Sequence, residues 1–263
     1  MSAIATATRA TPSLSPTLAF LRLELRRVIR NRRYLVMTVV LPVTLYVLYT
    51  SVLRDTSGGG LLDGLTWPAY FLVSMAVYGS IGAAMSQTVP IATERRTGWV
   101  RQLRVTPLPA GAYVVGKVAA ALLATIPALA LMAAVGIAVN HVGLGASGIV
   151  TLVVTLAIGS LPFATLGALL GYLLDVESAQ GGMVLTFFAL AVLGGLFVPL
   201  DAFPDALAAV GRVLPSGHLA AVGRATLAGR MPDVGDVAVL VAWTLVLGAL
   251  AAWRYRTDAR SRG

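Results

Sequence analysis

The segment that decides the fold spans residues 118–174 and reads VAAALLATIPALALMAAVGIAVNHVGLGASGIVTLVVTLAIGSLPFATLGALLGYLL, with no Asp, Glu, Lys or Arg. A helix needs about 20 apolar residues to cross the hydrocarbon core of a bilayer, so this segment is long enough for two crossings. Polar and flexible residues lie near its middle: Asn140, His141, Gly143, Gly145 and Gly148. Such residues are typical of a turn. The segment therefore predicts two transmembrane helices joined by a short connection.

Four further uncharged runs have the length of a single crossing. They cover residues 34–53, 65–93, 178–200 and 237–253. Of the 263 residues in the chain, 57% are hydrophobic and 12% are charged, whereas about a quarter of the residues of a soluble protein are charged. So few charges cannot cover an apolar core in water, which excludes an ordinary soluble domain. The sequence predicts an all-α integral membrane protein with six transmembrane helices, spans one to six, within residues 34–256.

The distribution of Lys and Arg sets the orientation of the spans. Of the 20 basic residues, 16 lie before span one, between spans two and three, or after span six. Because basic segments stay on the cytoplasmic side, both termini are predicted to be cytoplasmic, in a bacterial inner membrane, and residues 257–263 to form a basic cytoplasmic tail. The net charge of +9 is therefore attributed to basic residues that set the orientation of the spans in the membrane. No nucleic-acid partner is expected.

The N-terminal region divides into a tail and an amphipathic helix. Residues 1–16 are mostly Ala, Thr, Ser and Pro, a composition that predicts disorder. In residues 17–33 apolar side chains recur at helical spacing, and the other side carries Arg22, Arg26 and Arg30. We expect this helix to lie on the lipid bilayer surface with its arginines among the headgroups. The alternative is a solvated basic face.

The connection between spans two and three carries a patterned sequence, ERRTGWVRQLRVTP, from Glu94 to Pro107. Trp99 and Leu103 fall on the apolar side of a short helix, while Arg104 falls on its basic side. Such a helix on the membrane face can dock into a cytosolic partner. The alternative is a basic cytoplasmic loop without that role.

No nucleotide-binding or metal site is predicted. The sequence GAYVVGKV at residues 111–118 lacks the Ser or Thr that a phosphate loop uses for magnesium, because Val118 occupies that position. We expect Lys117 to extend to the cytoplasmic interface. The two histidines, His141 and His218, belong to no metal-binding motif. The chain is therefore expected to bind no metal or cofactor.

The chain also carries no motif of a hydrolase. Ser160 follows a glycine, and Ser216 lies two residues before His218, but neither serine belongs to a nucleophile elbow. We expect no catalytic residue, although a membrane enzyme remains an alternative. Gly167 and Gly171 form a small face that favours close helix contact.

The 94–107 loop resembles the signature of the type-2 permease subunits of ATP-binding-cassette (ABC) exporters. The matching residues are Glu94, Arg95, Gly98, Leu103, Thr106 and Pro107, while Trp99 occupies the usual Thr position. A second similarity lies between spans five and six, where the family has a Gly-rich helix end followed by Pro-punctuated re-entrant helices. The corresponding residues are Gly194, Gly195, Phe197, Pro199, Phe203, Pro204, Leu214, Pro215 and Arg224.

The resemblance implies half of a transporter. Two six-helix permeases, identical or different, would pair with two copies of a cytosolic ATP-binding subunit, which uses ATP and Mg²⁺. The 94–107 loop would be the coupling helix, including Arg104, and the N-terminal helix would complete the docking surface. Pro199, Phe203, Pro204 and Pro215 would shape the external re-entrant segment.

The resemblance also places the cargo path along spans two and five, between the two permeases. Their uncharged faces, with Ser86 and Gln87 among the few polar groups, favour a hydrophobic or amphiphilic cargo. We expect efflux of the drug or antibiotic-resistance kind. The alternatives are export of lipid or polysaccharide precursors and, outside the family, a channel or secondary carrier that works without an ATPase.

Overall fold

A computed structural model describes residues 36–52, 61–97 and 112–261 of the chain. These residues form helices and connections, with no β-strand among them. Several predictions lie outside the described residues: the tail at 1–16, the helix at 17–33 with Arg22, Arg26 and Arg30, and the part of the 94–107 loop from Gly98 to Pro107. The described residues have the predicted all-helical architecture.

A π-helical turn, Val36–Val40, leads into the first α-helix, α1, Leu41–Val52. The helices that follow are α2 Trp67–Ser86, α3 Pro90–Arg96, α4 Ala112–Asn140, α5 Ala146–Gly159, α6 Leu161–Leu173, α7 Val176–Leu193, α8 Asp205–Gly211, α9 Pro215–Leu227 and α10 Val234–Ser261. A single 3₁₀ turn, Leu200–Ala202, precedes α8.

Five segments in the described part of the chain are long and apolar enough to cross a membrane. They are Trp67–Arg96, Tyr113–Asn140, Ala146–Leu173, Val176–Leu193 and Val234–Tyr255. Span one is represented by the shorter apolar helix Thr38–Val52, whose approach from residue 34 lies outside the described ranges. The five segments match predicted spans two to six in order. They confirm the prediction of a multi-pass, all-α membrane protein.

Two predicted helix ends are shifted. Span five ends at Leu193 instead of residue 200, because Gly195 adopts a φ of +74° that L side chains rarely tolerate. The last helix continues past Trp253 to Ser261, so most of the predicted basic tail is helical. By contrast, the turn after span three lies where Asn140 and His141 predicted it, between α4 and α5.

Span four contains a break that hydropathy does not reveal. α5 ends at Gly159 and α6 begins at Leu161, with Ser160 between them. The Ser160 hydroxyl donates to the carbonyls of Leu156 at 2.9 Å and Ala157 at 2.8 Å. The Ser160 N–H donates to the same two carbonyls, at 3.0 Å and 3.3 Å, so the hydroxyl adds a second donor to each at the break.

The core is built around α2. Its side chains are apolar on every side, which is the pattern of a fully enclosed helix, and Phe71, Leu72 and Met75 are completely buried. It packs against α1, α4, α6 and α9. Most of the apolar surface of helices α7 and α10 is instead exposed on the outside of the bundle, as expected for helices that face lipid or another membrane subunit.

The two glycines of α6 bring that helix against the junction between α2 and α3. A Cβ atom added to Gly171 would lie 2.9 Å from Ile91 Cβ and 3.0 Å from the Thr88 carbonyl oxygen. One at Gly167 would lie 3.1 Å from Met85 Cα. The predicted close helix contact is therefore confirmed, and its partner is the end of span two.

Candidate functional site

A buried ion pair joins Glu94, the first residue of the 94–107 loop, to α4, the helix that follows the loop. The Lys117 ammonium in α4 lies 2.9 Å from Glu94 Oε1 in α3, and the Tyr113 hydroxyl donates to Glu94 Oε2. Lys117 is 1% exposed and Glu94 is 9% exposed. The helices on either side of the loop, α3 and α4, are therefore joined at one buried contact.

Arg95 extends this contact to span four. Its guanidinium donates to the carbonyl oxygens of Tyr172 at 2.7 Å and Gly171 at 3.3 Å, and it lies 5.5 Å from the centre of the Tyr172 ring. Both carbonyls belong to the last turn of α6, where main-chain oxygens lack a helical partner and attract a cation. We refer to Glu94, Arg95, Tyr113, Lys117 and Tyr172 as the Glu94 cluster.

The Glu94 cluster joins four spans at one end of the bundle. The Tyr172 ring meets the Tyr255 ring of α10 edge-on, with centroids 5.9 Å apart. Ile91 of α3 and Ala168 of α6 complete an apolar layer around it. Spans two, three, four and six therefore share one set of contacts at the base of the loop.

The expectation for Lys117 is wrong. Its side chain turns into the bundle and pairs with Glu94 instead of extending to the membrane interface. Burying one ammonium costs several kcal/mol, and a paired carboxylate offsets much of that cost. The sequence signal was available, because Glu94 and Lys117 are opposite charges at corresponding ends of spans two and three.

The structure brings together two of the residues predicted to couple the chain to an ATPase. Glu94 and Arg95 both lie in the cluster, with their side chains directed toward other spans. Their neighbours Arg96 and Thr97 are exposed. The remaining predicted coupling residues, Gly98, Trp99, Leu103, Arg104, Thr106 and Pro107, lie outside the described part of the chain.

The prolines predicted to shape the segment between spans five and six lie just before, or at the first residue of, its short helical elements. Pro199 precedes the 3₁₀ turn, Pro204 precedes α8, and Pro215 is the first residue of α9. Phe203 ends the 3₁₀ turn. A proline suits these positions because it has no N–H to leave unpaired. The helices α8 and α9 meet at 73°.

The start of α9 packs on the end of α7 through small residues. The Ser216 hydroxyl donates to the Leu190 carbonyl at 2.7 Å, and a Cβ atom added to Gly194 would lie 2.7 Å from Ser216 Cβ. Only a glycine permits this approach. The contact fixes the bent pair α8–α9 against span five.

Arg224 anchors the connection that precedes span two. Its Nε lies 2.8 Å from Asp63 Oδ2, and its guanidinium lies 4.6 Å from the centre of the Tyr70 ring. Arg230 donates to the Asp63 carbonyl at 2.7 Å. These contacts lie at the opposite end of the bundle from the Glu94 cluster. Hydropathy gave no sign of them, since they join residues far apart in the sequence.

A cavity of about 540 Å³ lies between the first helix, α2 and α7. Its lining residues are Thr38, Leu41, Tyr78, Gly79, Gly82, Met85, Ser86, Val89, Gln180, Met183, Val184, Phe187 and Phe188. None of these is charged, and the volume falls in the range of small-molecule sites, roughly 300–1,000 Å³. Ser86 was predicted on this path, whereas Gln87 does not line the cavity. Val89, one of the lining residues, lies just before α3.

The described residues offer no arrangement for hydrolysis or metal binding. Ser160 and Ser216 both donate their hydroxyls to main-chain carbonyls. No group of three or more His, Asp or Glu side chains that could hold a metal ion occurs in the described ranges.

Comparison with known proteins adds two findings. A family model described as "ABC-2 family transporter protein" matches residues 64–253, more than half of the chain. The chain is also 26% identical over 231 residues to a Bacillus subtilis (strain 168) protein named "Putative transport permease YvfS". That alignment covers 88% of this chain and 93% of the relative.

Proposed function

Because the chain belongs to the ABC-2 family of transporter proteins, we propose that it is the permease subunit of an ATP-driven exporter of hydrophobic or amphiphilic molecules. The family match supports the assignment as a transporter permease. An ABC-2 permease works with an ATP-binding subunit. We propose two copies of that subunit, with ATP and Mg²⁺ bound there, and a second permease that completes the path. The orientation follows from the basic residues, with both termini in the cytoplasm of a bacterial cell.

The cavity supports an apolar cargo. Its wall combines aliphatic side chains with the rings of Tyr78, Phe187 and Phe188, and no lining side chain could neutralise a charge. A drug-like molecule with an apolar body loses little on entering such a site. A lipid chain would also fit, so a lipid exporter is the second candidate. A phosphorylated polysaccharide precursor would find no cation there.

Coupling to ATP would run through the Glu94 cluster. Because the cluster joins α3 to α4, the helices on either side of the 94–107 loop, a force on the loop would move both helices together. The helix α3 follows directly from the end of α2, where Ser86 and Val89 line the cavity. Closure of the ATP-binding subunits would thereby bias the bundle between two arrangements. The bent pair α8–α9 would be the external re-entrant segment.

The test uses the permease with its ATP-binding subunit in proteoliposomes and a fluorescent amphiphile as the transported probe. Val184 lines the cavity and is 54% exposed, so Val184→Trp adds a large ring at the cavity wall, and we expect it to reduce ATP-dependent transport by roughly tenfold. Leu185→Trp, at the neighbouring outward-facing position of α7, is the matched control and should retain transport.

Two results would contradict the proposal at different levels. Full transport by the permease alone, without ATP, would reject the exporter function. Equal transport by both tryptophan variants would reject the cavity as the cargo site while leaving the exporter function standing.

A further inference from the structure

His218 occupies an unusual position between two hydrogen-bond acceptors. Its Nδ1 lies 2.6 Å from Asp236 Oδ1, and its Nε2 lies 2.8 Å from the Arg212 carbonyl oxygen. A carbonyl and an ionised carboxylate can only accept a hydrogen bond. A neutral imidazole carries one N–H and can satisfy one of them, whereas an imidazolium carries two and satisfies both.

The three residues belong to separate elements. Arg212 follows the end of α8, His218 lies in the first turns of α9, and Asp236 lies in the first turn of α10. The ring therefore ties the corner of the bent pair to the start of span six. A second contact crosses the same gap, because Trp243 Nε1 donates to the Val213 carbonyl at 2.9 Å. That indole bond does not depend on pH.

From this geometry we propose that His218 is a proton-operated clamp, which holds the α8–α9 corner against α10 when its ring is protonated and loosens that contact when the ring is neutral. Histidine is the side chain that changes charge between about pH 5 and pH 8. In the neutral ring one nitrogen presents a lone pair to an oxygen lone pair, so that contact becomes repulsive. Acid is therefore expected to tighten the corner.

The other charged groups near the His218 ring do not make this pH-dependent contact. On α10 and its approach they are Asp236 and the exposed Asp233, and at the corner the Arg212 side chain is exposed. Farther along α9, Arg224 is engaged with Asp63 and Tyr70. Asp201 and Asp205, before and within α8, are exposed, and α5 contributes no titratable side chain. Asp236 is thus the carboxylate in contact with the ring.

The test measures the width of a distance distribution between spin labels. The chain contains no cysteine, so Val210→Cys in α8 and Val234→Cys at the start of α10, both exposed, accept labels at those sites alone. The full chain in nanodiscs is measured by electron paramagnetic resonance at about pH 5.5 and about pH 8, on either side of the usual histidine titration. We expect a narrow distribution in acid and a broader one with longer distances at the higher pH.

Substitutions test whether His218 is the cause of the pH response in the distance distribution. His218→Gln and Asp236→Asn should each remove the pH response, whereas His141→Gln should preserve it, because His141 is exposed between α4 and α5. A wild-type distribution that is the same at both pH values would overturn the proposal, as would a pH response that persists in His218→Gln. The readout is a distance, so the result is independent of whether the chain exports an apolar cargo.

Discussion

The Glu94–Lys117 pair gives the sharpest prediction for folding. Glu94→Gln removes the carboxylate from an ammonium that is 1% exposed. Removing one partner of a buried pair typically costs about 3–5 kcal/mol, because the remaining charge is left uncompensated. We expect a loss near the lower end, about 3 kcal/mol, since the glutamine oxygen can still accept a hydrogen bond from Lys117.

Lys117→Met should cost less, about 2 kcal/mol, because Glu94 keeps the hydrogen bond from the Tyr113 hydroxyl. The double variant Glu94→Gln/Lys117→Met removes both charges and retains an acceptor for Tyr113. Replacing a whole buried ion pair by neutral groups is often close to neutral. The double variant should therefore be at least about 2 kcal/mol more stable than the sum of the single losses predicts.

The assay is equilibrium unfolding of the purified chain in mixed detergent micelles, with the free energy of unfolding compared across the cycle. Arg96→Gln, which changes an exposed cation in the same short helix, is the control and should change stability by less than about 0.5 kcal/mol. Single losses that add to within about 0.5 kcal/mol would refute the buried pair. In the complex with the ATP-binding subunit, the double variant should also recover transport that the single variants lose.

Two further predictions concern helix packing and capping. Gly171→Val should destabilise the chain by about 1–3 kcal/mol, because the added side chain would enter the space of Ile91 and the Thr88 carbonyl. The control is Gly181→Val, where nothing lies within 4 Å of the added Cβ. Equal shifts in the thermal unfolding temperature of the two variants would reject the close contact. Hydrogen bonds from the Ser178 hydroxyl and main-chain N–H lower the pKa of Asp175, so the α7 cap should be fully formed above the ordinary Asp pKa and lost as the pH falls through the lowered value. Ser178→Ala should raise the pKa of Asp175 in a carboxyl ¹³C titration, and an unchanged midpoint would show that the hydroxyl does not stabilise the carboxylate.

Much of the fold could be predicted because the membrane simplifies the problem. A run such as 118–174 has no alternative to spanning as helices, since main-chain groups in hydrocarbon must be paired within the segment. The glycines at 167 and 171 predicted a close contact for a similar reason, as only small residues let helices approach. The break at Ser160 escaped prediction because hydropathy does not change across it.

The candidate site was predictable in its location and less so in its contacts. The 94–107 pattern predicted coupling residues that include Glu94 and Arg95, and the structure places both of these in the Glu94 cluster. The pattern gave no indication that the Glu94 carboxylate turns inward to Lys117, or that Arg95 caps α6. Those contacts depend on how spans two, three and four are arranged around one another, which the pattern of a single loop does not contain.

The sequence by itself determined that the chain lies in a membrane, how many long apolar segments it has, and that it belongs to a transporter family. These follow from properties of the sequence alone: the length of the apolar runs, the small number of charged residues, and the similarity to a family model over residues 64–253. Only the tertiary structure decided which polar side chains meet, as in Glu94–Lys117, Arg224–Asp63 and His218–Asp236. It also decided that a cavity opens between the first helix, α2 and α7. The physical reason is that an ion pair or a cavity wall is made by side chains from different spans, and their proximity is set by helix packing rather than by any one segment.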